Sequence, residues 1–146
     1  MLVMIEIKHV QKTYGNHRVV DDLSLKIQKG IVFGFLGPNG AGKTTTIKML
    51  VGISRPDSGT IMMAGKSPRE QSAREVIGFM PEDPYFYDRL TGAEFLAFCG
   101  DLFAKKPGAG SERYDTILKM VGMYDARSRV IATYSKGMKQ RLGFAQ

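Results

Sequence analysis

The chain has 146 residues, 43% hydrophobic and 24% charged, the balance of a globular domain rather than of a disordered segment. Its longest uncharged run, residues 30–42, is interrupted by glycine and proline and is shorter than the roughly 18 residues of a membrane-spanning helix. A single cysteine, Cys99, excludes an intrachain disulfide framework and a cysteine-based metal cluster, and the start Met1-Leu2-Val3-Met4-Ile5-Glu6 lacks the basic and apolar parts of a secretory leader, so a cytoplasmic chain is expected.

The net charge is +7, and residues 101–146 carry +5 of it, from nine basic and four acidic residues. Such a field suits nucleic acid, a membrane surface or a phosphate-bearing ligand and selects none of them.

Residues 3–10 and 19–27 show apolar residues in partial alternation around the turn signal Tyr14-Gly15-Asn16, which predicts two antiparallel strands. After Gly30, the continuous apolar run Ile31-Val32-Phe33-Gly34-Phe35-Leu36 predicts a strand buried on both faces, as in a parallel sheet. A glycine-rich turn follows, then a breaker-free helix over residues 43–51 ending at Gly52. Pro56-Asp57-Ser58-Gly59 reads as a turn, residues 60–64 as a short strand, residues 68–74 as a polar helix and residues 76–80 as a strand stopped by Pro81. From Thr91 the period changes. Thr91-Gly92-Ala93-Glu94 fits a capping box, with Phe95, Phe98, Cys99 and Leu102 expected on one helical face. A loop over residues 105–110 leads to Ser111 as the N-cap of a helix presenting Tyr114, Ile117, Leu118 and Val121.

The most informative segment is Gly37-Pro38-Asn39-Gly40-Ala41-Gly42-Lys43-Thr44, a G-x-x-x-x-G-K-[ST] motif between a predicted strand and a predicted helix. Its glycines permit backbone conformations closed to other residues, so successive N–H groups and the helix N-terminus can surround a polyphosphate. Lys43 is expected to reach the terminal phosphates, the Thr44 hydroxyl to bind Mg²⁺, and Thr45 to touch the first phosphate. The loop reads phosphates rather than a base. Asn16 and Asn39 are the only asparagines, so an Asn-Lys-x-Asp guanine reader is absent.

Around this loop the sequence resembles the nucleotide-binding domain of ATP-binding cassette (ABC) transporters. Lys12-Thr13-Tyr14-Gly15 is similar to the aromatic loop of the family, Ile77-Gly78-Phe79-Met80-Pro81-Glu82 to its Q-loop segment, with Glu82 where glutamine is usual, and Tyr134-Ser135-Lys136-Gly137-Met138 to its Leu-Ser-Gly-Gly-Gln signature. Ser135 and Gly137 match the signature, whereas Lys136 and Met138 depart from it in the manner of bacterial exporter branches.

The resemblance implies an α/β fold. A P-loop NTPase core carries an N-terminal antiparallel β subdomain and a helical subdomain, divided here into residues 1–87 and 88–146. It implies ATP held by Tyr14 against adenine and by Gly37, Pro38, Asn39, Gly40, Ala41, Gly42, Lys43, Thr44 and Thr45 on the phosphates, with Mg²⁺ at Thr44 and Glu82. Lys43 and Glu82 take the catalytic roles, and Ser135, Lys136, Gly137 and Met138 contact nucleotide on a second copy. The implied partners are transmembrane permease subunits, which would hold the chain peripherally at the cytoplasmic face of the cell membrane, and no nucleic acid is expected.

Tyr85, Phe86 and Tyr87 suit either a permease-docking surface or packing against the Phe95 helix. His9 and His17 precede the phosphate loop, so neither stands where the switch histidine of the family belongs. No apolar strand ending in Asp-Glu is found, and the chain is expected to be an N-terminal portion that binds ATP and hydrolyses it poorly. The alternatives are a soluble ABC-type ATPase acting on nucleic acid or ribosomes and a non-catalytic nucleotide-binding fragment.

Overall fold

In the computed structural model, which describes residues 3–82, 84–103 and 111–146, strand β1 (Val3–Tyr14) pairs antiparallel with β2 (His17–Gln28) on one edge. Strand β3 (Ser58–Met63) pairs antiparallel with the other edge, giving the order β2-β1-β3. The partial alternation of the sequence has a specific cause. Val3, Ile5 and Ile7 share one parity and Val10 the other, and the pairing slips between Ile7↔Leu25 and Val10↔Leu23, where β1 has one extra residue. A compensating slip on β2 follows between Val10↔Leu23 and Lys12↔Val20. His9 and Asp22 occupy these bulges at φ 49 each, so that Ile7 and Val10 both turn inward.

Helix α1 (Lys43–Leu50) lies on the sheet through Met49, which is buried with Ile7, Val10, Val20 and Ile61. Residues 31–36 form no strand, contrary to expectation, and Ile31, Val32, Phe33 and Leu36 are exposed. A parallel strand is held by neighbours on both edges, and among the described residues no strand runs beside this segment. Ile31, Phe33 and Phe35 of this segment line an apolar groove of about 330 Å³ with Ile5, Leu25 and Ile47. Residues 76–80 likewise lack strand structure, with Val76 exposed for the same want of a partner, and the polar helix shrinks to the single turn α2 (Gln71–Arg74).

The chain divides into two units, Met1–Phe79 and Met80–Gln146. In the second, α3 (Gly92–Phe103), α4 (Ser111–Met120) and α5 (Lys136–Ala145) enclose a core of Phe95, Leu96, Leu118, Met123, Ile131, Tyr134, Leu142 and Ala145. The capping box forms as expected. Thr91 N–H donates to Glu94 Oε2 at 2.8 Å, Glu94 N–H donates to Thr91 Oγ1 at 3.2 Å, and these contacts hold the Glu94 carboxyl below its usual range.

The buried face of α3 differs from expectation. Phe95 and Leu96 are buried and Cys99 half-buried, whereas Phe98 and Leu102 face solvent. The i, i+3, i+4 rule fits both faces. What decides between them is Gly92 and Gly100, each lying under a tyrosine hydroxyl, of Tyr134 and Tyr114 respectively, on the side that can approach closely. Tyr114, Ile117, Leu118 and Val121 of the next helix do pack on the core. The loop over residues 105–110 and the side chain of Ser111 lie outside the described residues.

Candidate functional site

Residues 37–42 lead into the N-terminus of α1. Gly42 is its N-cap, no side chain caps the helix, and no acidic residue stands in its first turn. The first backbone N–H inside the helix ladder is that of Thr46, which donates to Gly42 O at 2.8 Å. The amides before it have no partner within the helix and carry its partial positive charge, a setting suited to an anion.

Gly40 and Gly42 have φ of 84° and 81°. A Cβ on Gly42 would stand 2.5 Å from the Val19 carbonyl oxygen of β2, so only glycine lets the loop rest on the sheet there. Lys43 Nζ donates to Gly37 O and Pro38 O, both at 2.7 Å, and bridges the start of the loop to its end. Ala41 N–H donates to Pro38 O at 3.3 Å, Thr44 is exposed and Thr45 half-buried. Pro38, Asn39, Gly40 and Ala41 are also exposed. The loop therefore gathers amides, an ammonium and hydroxyls at one helix end, a donor set suited to a polyphosphate and to a hard cation at Thr44.

Tyr14 stands at the tip of the β1–β2 hairpin with 51% of its surface exposed, its hydroxyl 3.5 Å from Ser54 Oγ just beyond α1. The tip is pinned by residues that sequence reasoning missed. Asp57 accepts from Lys12 Nζ and from Thr13 N–H, each at 2.7 Å, while its own N–H donates to Gln11 O at 2.9 Å. Lys12, chiefly, and the Thr13 amide hold the Asp57 carboxyl below its ordinary range. The Lys12 ammonium also lies 5.3 Å from the centre of the Tyr14 ring. The turn signal around Asp57 was visible in the sequence. Its partner 45 residues away was not.

The remaining expected site residues lie in the second unit. Ser135 caps α5, its Oγ accepting from Met138 N–H at 3.2 Å, with Lys136 and Gly137 exposed and Met138 half-buried. Glu82 is exposed. Of the aromatic trio, Phe86 packs edge-on against Phe95 at 5.1 Å and Tyr87 against Phe98 at 5.4 Å, as the packing reading expects, and Tyr85 is 98% exposed. His9 is exposed with Nδ1 2.7 Å from Asp22 Oδ1, and His17 is exposed at the hairpin turn.

The ABC transporter family model matches residues 20–146. An uncharacterized ABC transporter ATP-binding protein of Bacillus subtilis (strain 168) is 41% identical over 98% of this chain and 48% of its own length. A bacitracin transport ATP-binding protein of Enterococcus faecalis is 37% identical over 99% of this chain and 47% of its own length. The chain thus spans about half the length of these curated relatives. A solved ATP-binding subunit of an ABC transporter superposes with a TM-score of 0.83 at 28% identity, over 97% of this chain and 60% of that one. The fold is accordingly α/β, the antiparallel sheet and helices of the ABC ATPase type of P-loop NTPase. A family match over most of the sequence, around a glycine-rich loop seated at the head of α1, makes this chain a member of the ABC transporter family.

Proposed function

We propose that the chain is the nucleotide-binding part of an ABC transporter ATPase, working with separate permease subunits at the cytoplasmic face of the membrane. The observation that carries this reading is the Gly37-to-Thr44 loop, where uncapped amides, Lys43 and the Thr44 hydroxyl converge at the N-terminus of α1. On ATP, the loop amides bind the phosphates, the Lys43 ammonium exchanges loop carbonyls for phosphate oxygens, and Tyr14 offers its exposed ring to adenine. Mg²⁺, when bound, would neutralise phosphate charge, and the Thr44 hydroxyl supplies an oxygen atom suited to hold it. Ser135, Lys136, Gly137 and Met138 serve the ATP of a second copy, with α5 supplying its N-terminal amides.

Export as the direction rests on Lys136 and Met138, whose departure from the signature resembles that of bacterial exporter branches. Within residues 1–146 neither an Asp-Glu strand end nor a histidine after the phosphate loop is found, which supports ATP binding with slow hydrolysis by this portion. Within the basic excess Lys139 is paired with Asp88, and no nucleic-acid partner is proposed. The exposed Tyr85 suits contact with a permease.

The test is Mg²⁺-ATP binding and phosphate release by the chain and by Lys43→Ala. Binding that Lys43→Ala abolishes, with little phosphate released, is expected. Equal ATP affinity in the two proteins would refute the assignment.

A further inference from the structure

The residue before the Ser135 cap is anchored by a hydroxyl that the core alone does not require. Tyr134 is buried among Phe95, Leu118, Ile131 and Leu142, and its hydroxyl donates to Ala126 O at 2.7 Å. The same oxygen rests on Gly92, the first residue of α3. A Cβ there would collide with the hydroxyl and stand 3.4 Å from the ring carbon Cζ.

The segments on either side are laced to one stretch of chain. Ile131 N–H donates to Leu90 O at 2.9 Å, Ala132 N–H to Asp88 O at 3.0 Å, and Ala93 N–H to Arg127 O at 3.0 Å. Beyond the cap, Lys139 Nζ donates to Asp88 Oδ1 at 3.0 Å. Ser135 thus lies between two anchors, Tyr134, whose hydroxyl is bonded to Ala126 O and rests on Gly92, and Lys139, which is bonded to Asp88. An aliphatic side chain at position 134 would bury comparable apolar surface. It would lack a directional bond, and a hydrogen bond restrains orientation in a way that apolar contact does not.

We propose that Tyr134 is a positioning residue for the α5 N-terminus: its hydroxyl, seated in the notch at Gly92 and bonded to Ala126 O, sets the direction in which Ser135 and the following amides face. The inference rests on the proposed role of Ser135 to Met138 at a nucleotide held by a second copy. Tyr134 itself touches no nucleotide. Its effect passes through the cap, where a misplacement of about 1 Å can reduce a rate by about a hundredfold.

The experiment uses the full-length protein, with ATP affinity, melting temperature, and kcat and KM for ATP measured in parallel. Tyr134→Phe keeps the ring and removes the hydroxyl. It is expected to leave ATP affinity and KM within about twofold and to lower kcat by about tenfold, the signature of an interaction made only at the reacting site. Gly92→Ala, which drives a methyl into the hydroxyl, should lower kcat in the same way. In a Tyr134→Leu background, where no ring occupies the notch, Gly92→Ala should have no further effect on kcat.

An unchanged kcat in Tyr134→Phe would overturn the proposal. So would a fall in kcat accompanied by an equal loss of ATP affinity, or one that follows the melting temperature across the set, since either marks a purely structural role. Where Tyr134→Phe fails to fold, equal effects of Gly92→Ala in the tyrosine and leucine backgrounds would overturn it. Absence of ATP binding in the unsubstituted protein would instead overturn the ATP-binding reading, and this inference with it.

Discussion

Gly42→Ala tests how the phosphate loop is seated. Gly42 has φ 81°, and its added Cβ would meet the Val19 carbonyl oxygen at 2.5 Å and Val20 Cγ2 at 3.1 Å. Left-handed backbone costs a residue with a Cβ about 1–2 kcal/mol. Carbon–oxygen contacts settle near 3.3 Å, so the loop or β2 must shift by about 0.8 Å, and forced overpacking of this kind costs about 1–3 kcal/mol. The expected destabilisation is about 2–5 kcal/mol, a large part of the usual total stability of a domain.

Gly40→Ala is the internal control, because φ there is 84° but nothing lies within 4 Å of the added Cβ. It should show the backbone cost alone, about 1–2 kcal/mol. Urea unfolding followed by far-ultraviolet circular dichroism gives both values. Equal costs at the two positions would refute the close approach of Gly42 to Val19, and a negligible cost at both would refute the left-handed backbone.

Two further outcomes follow from residues outside the loop. Thr91→Ala removes the side-chain half of the α3 capping box and should cost about 1 kcal/mol in thermal or urea unfolding, with Thr91→Ser recovering most of it. Asp57 is held below its ordinary value of 3.8 by Lys12 and the Thr13 amide. Its contribution is therefore fully present above that value and is lost as pH falls through the lower folded-state value. Asp57→Asn should be less stable than the parent near neutral pH, and the difference should shrink on acidification below about pH 4. A constant difference across an acid titration of unfolding would show that the carboxylate charge plays no part.

Legibility differed from element to element, for physical reasons. The hairpin, α1 and the capping box depend on residues near one another in sequence, and each appeared where local chemistry put it. The phosphate loop was readable because glycine spacing, lysine and threonine act within one turn of chain. The apolar run over residues 31–36 predicts a strand and forms none, because apolar residues alone do not make a strand; hydrogen-bonding neighbours do. The face of α3 was ambiguous because two stripes satisfy the same spacing, and close contacts at Gly92 and Gly100 selected one of them.

The sequence by itself therefore determined the glycine-rich motif with its lysine and threonine, the family resemblance and the positions of the α3 cap and the turns, all of which depend on residue type at short separations. Tertiary structure alone decided that His9 and Asp22 occupy paired bulges, that Asp57 pins the hairpin tip bearing Tyr14, and that the Tyr134 hydroxyl anchors the Ser135 cap to Ala126 and Gly92. The separations involved are 13, 45, 8 and 42 residues respectively. Beyond a turn or two, such pairings leave no periodic trace in the sequence, because they are selected by packing of the whole unit rather than by the propensity of either partner.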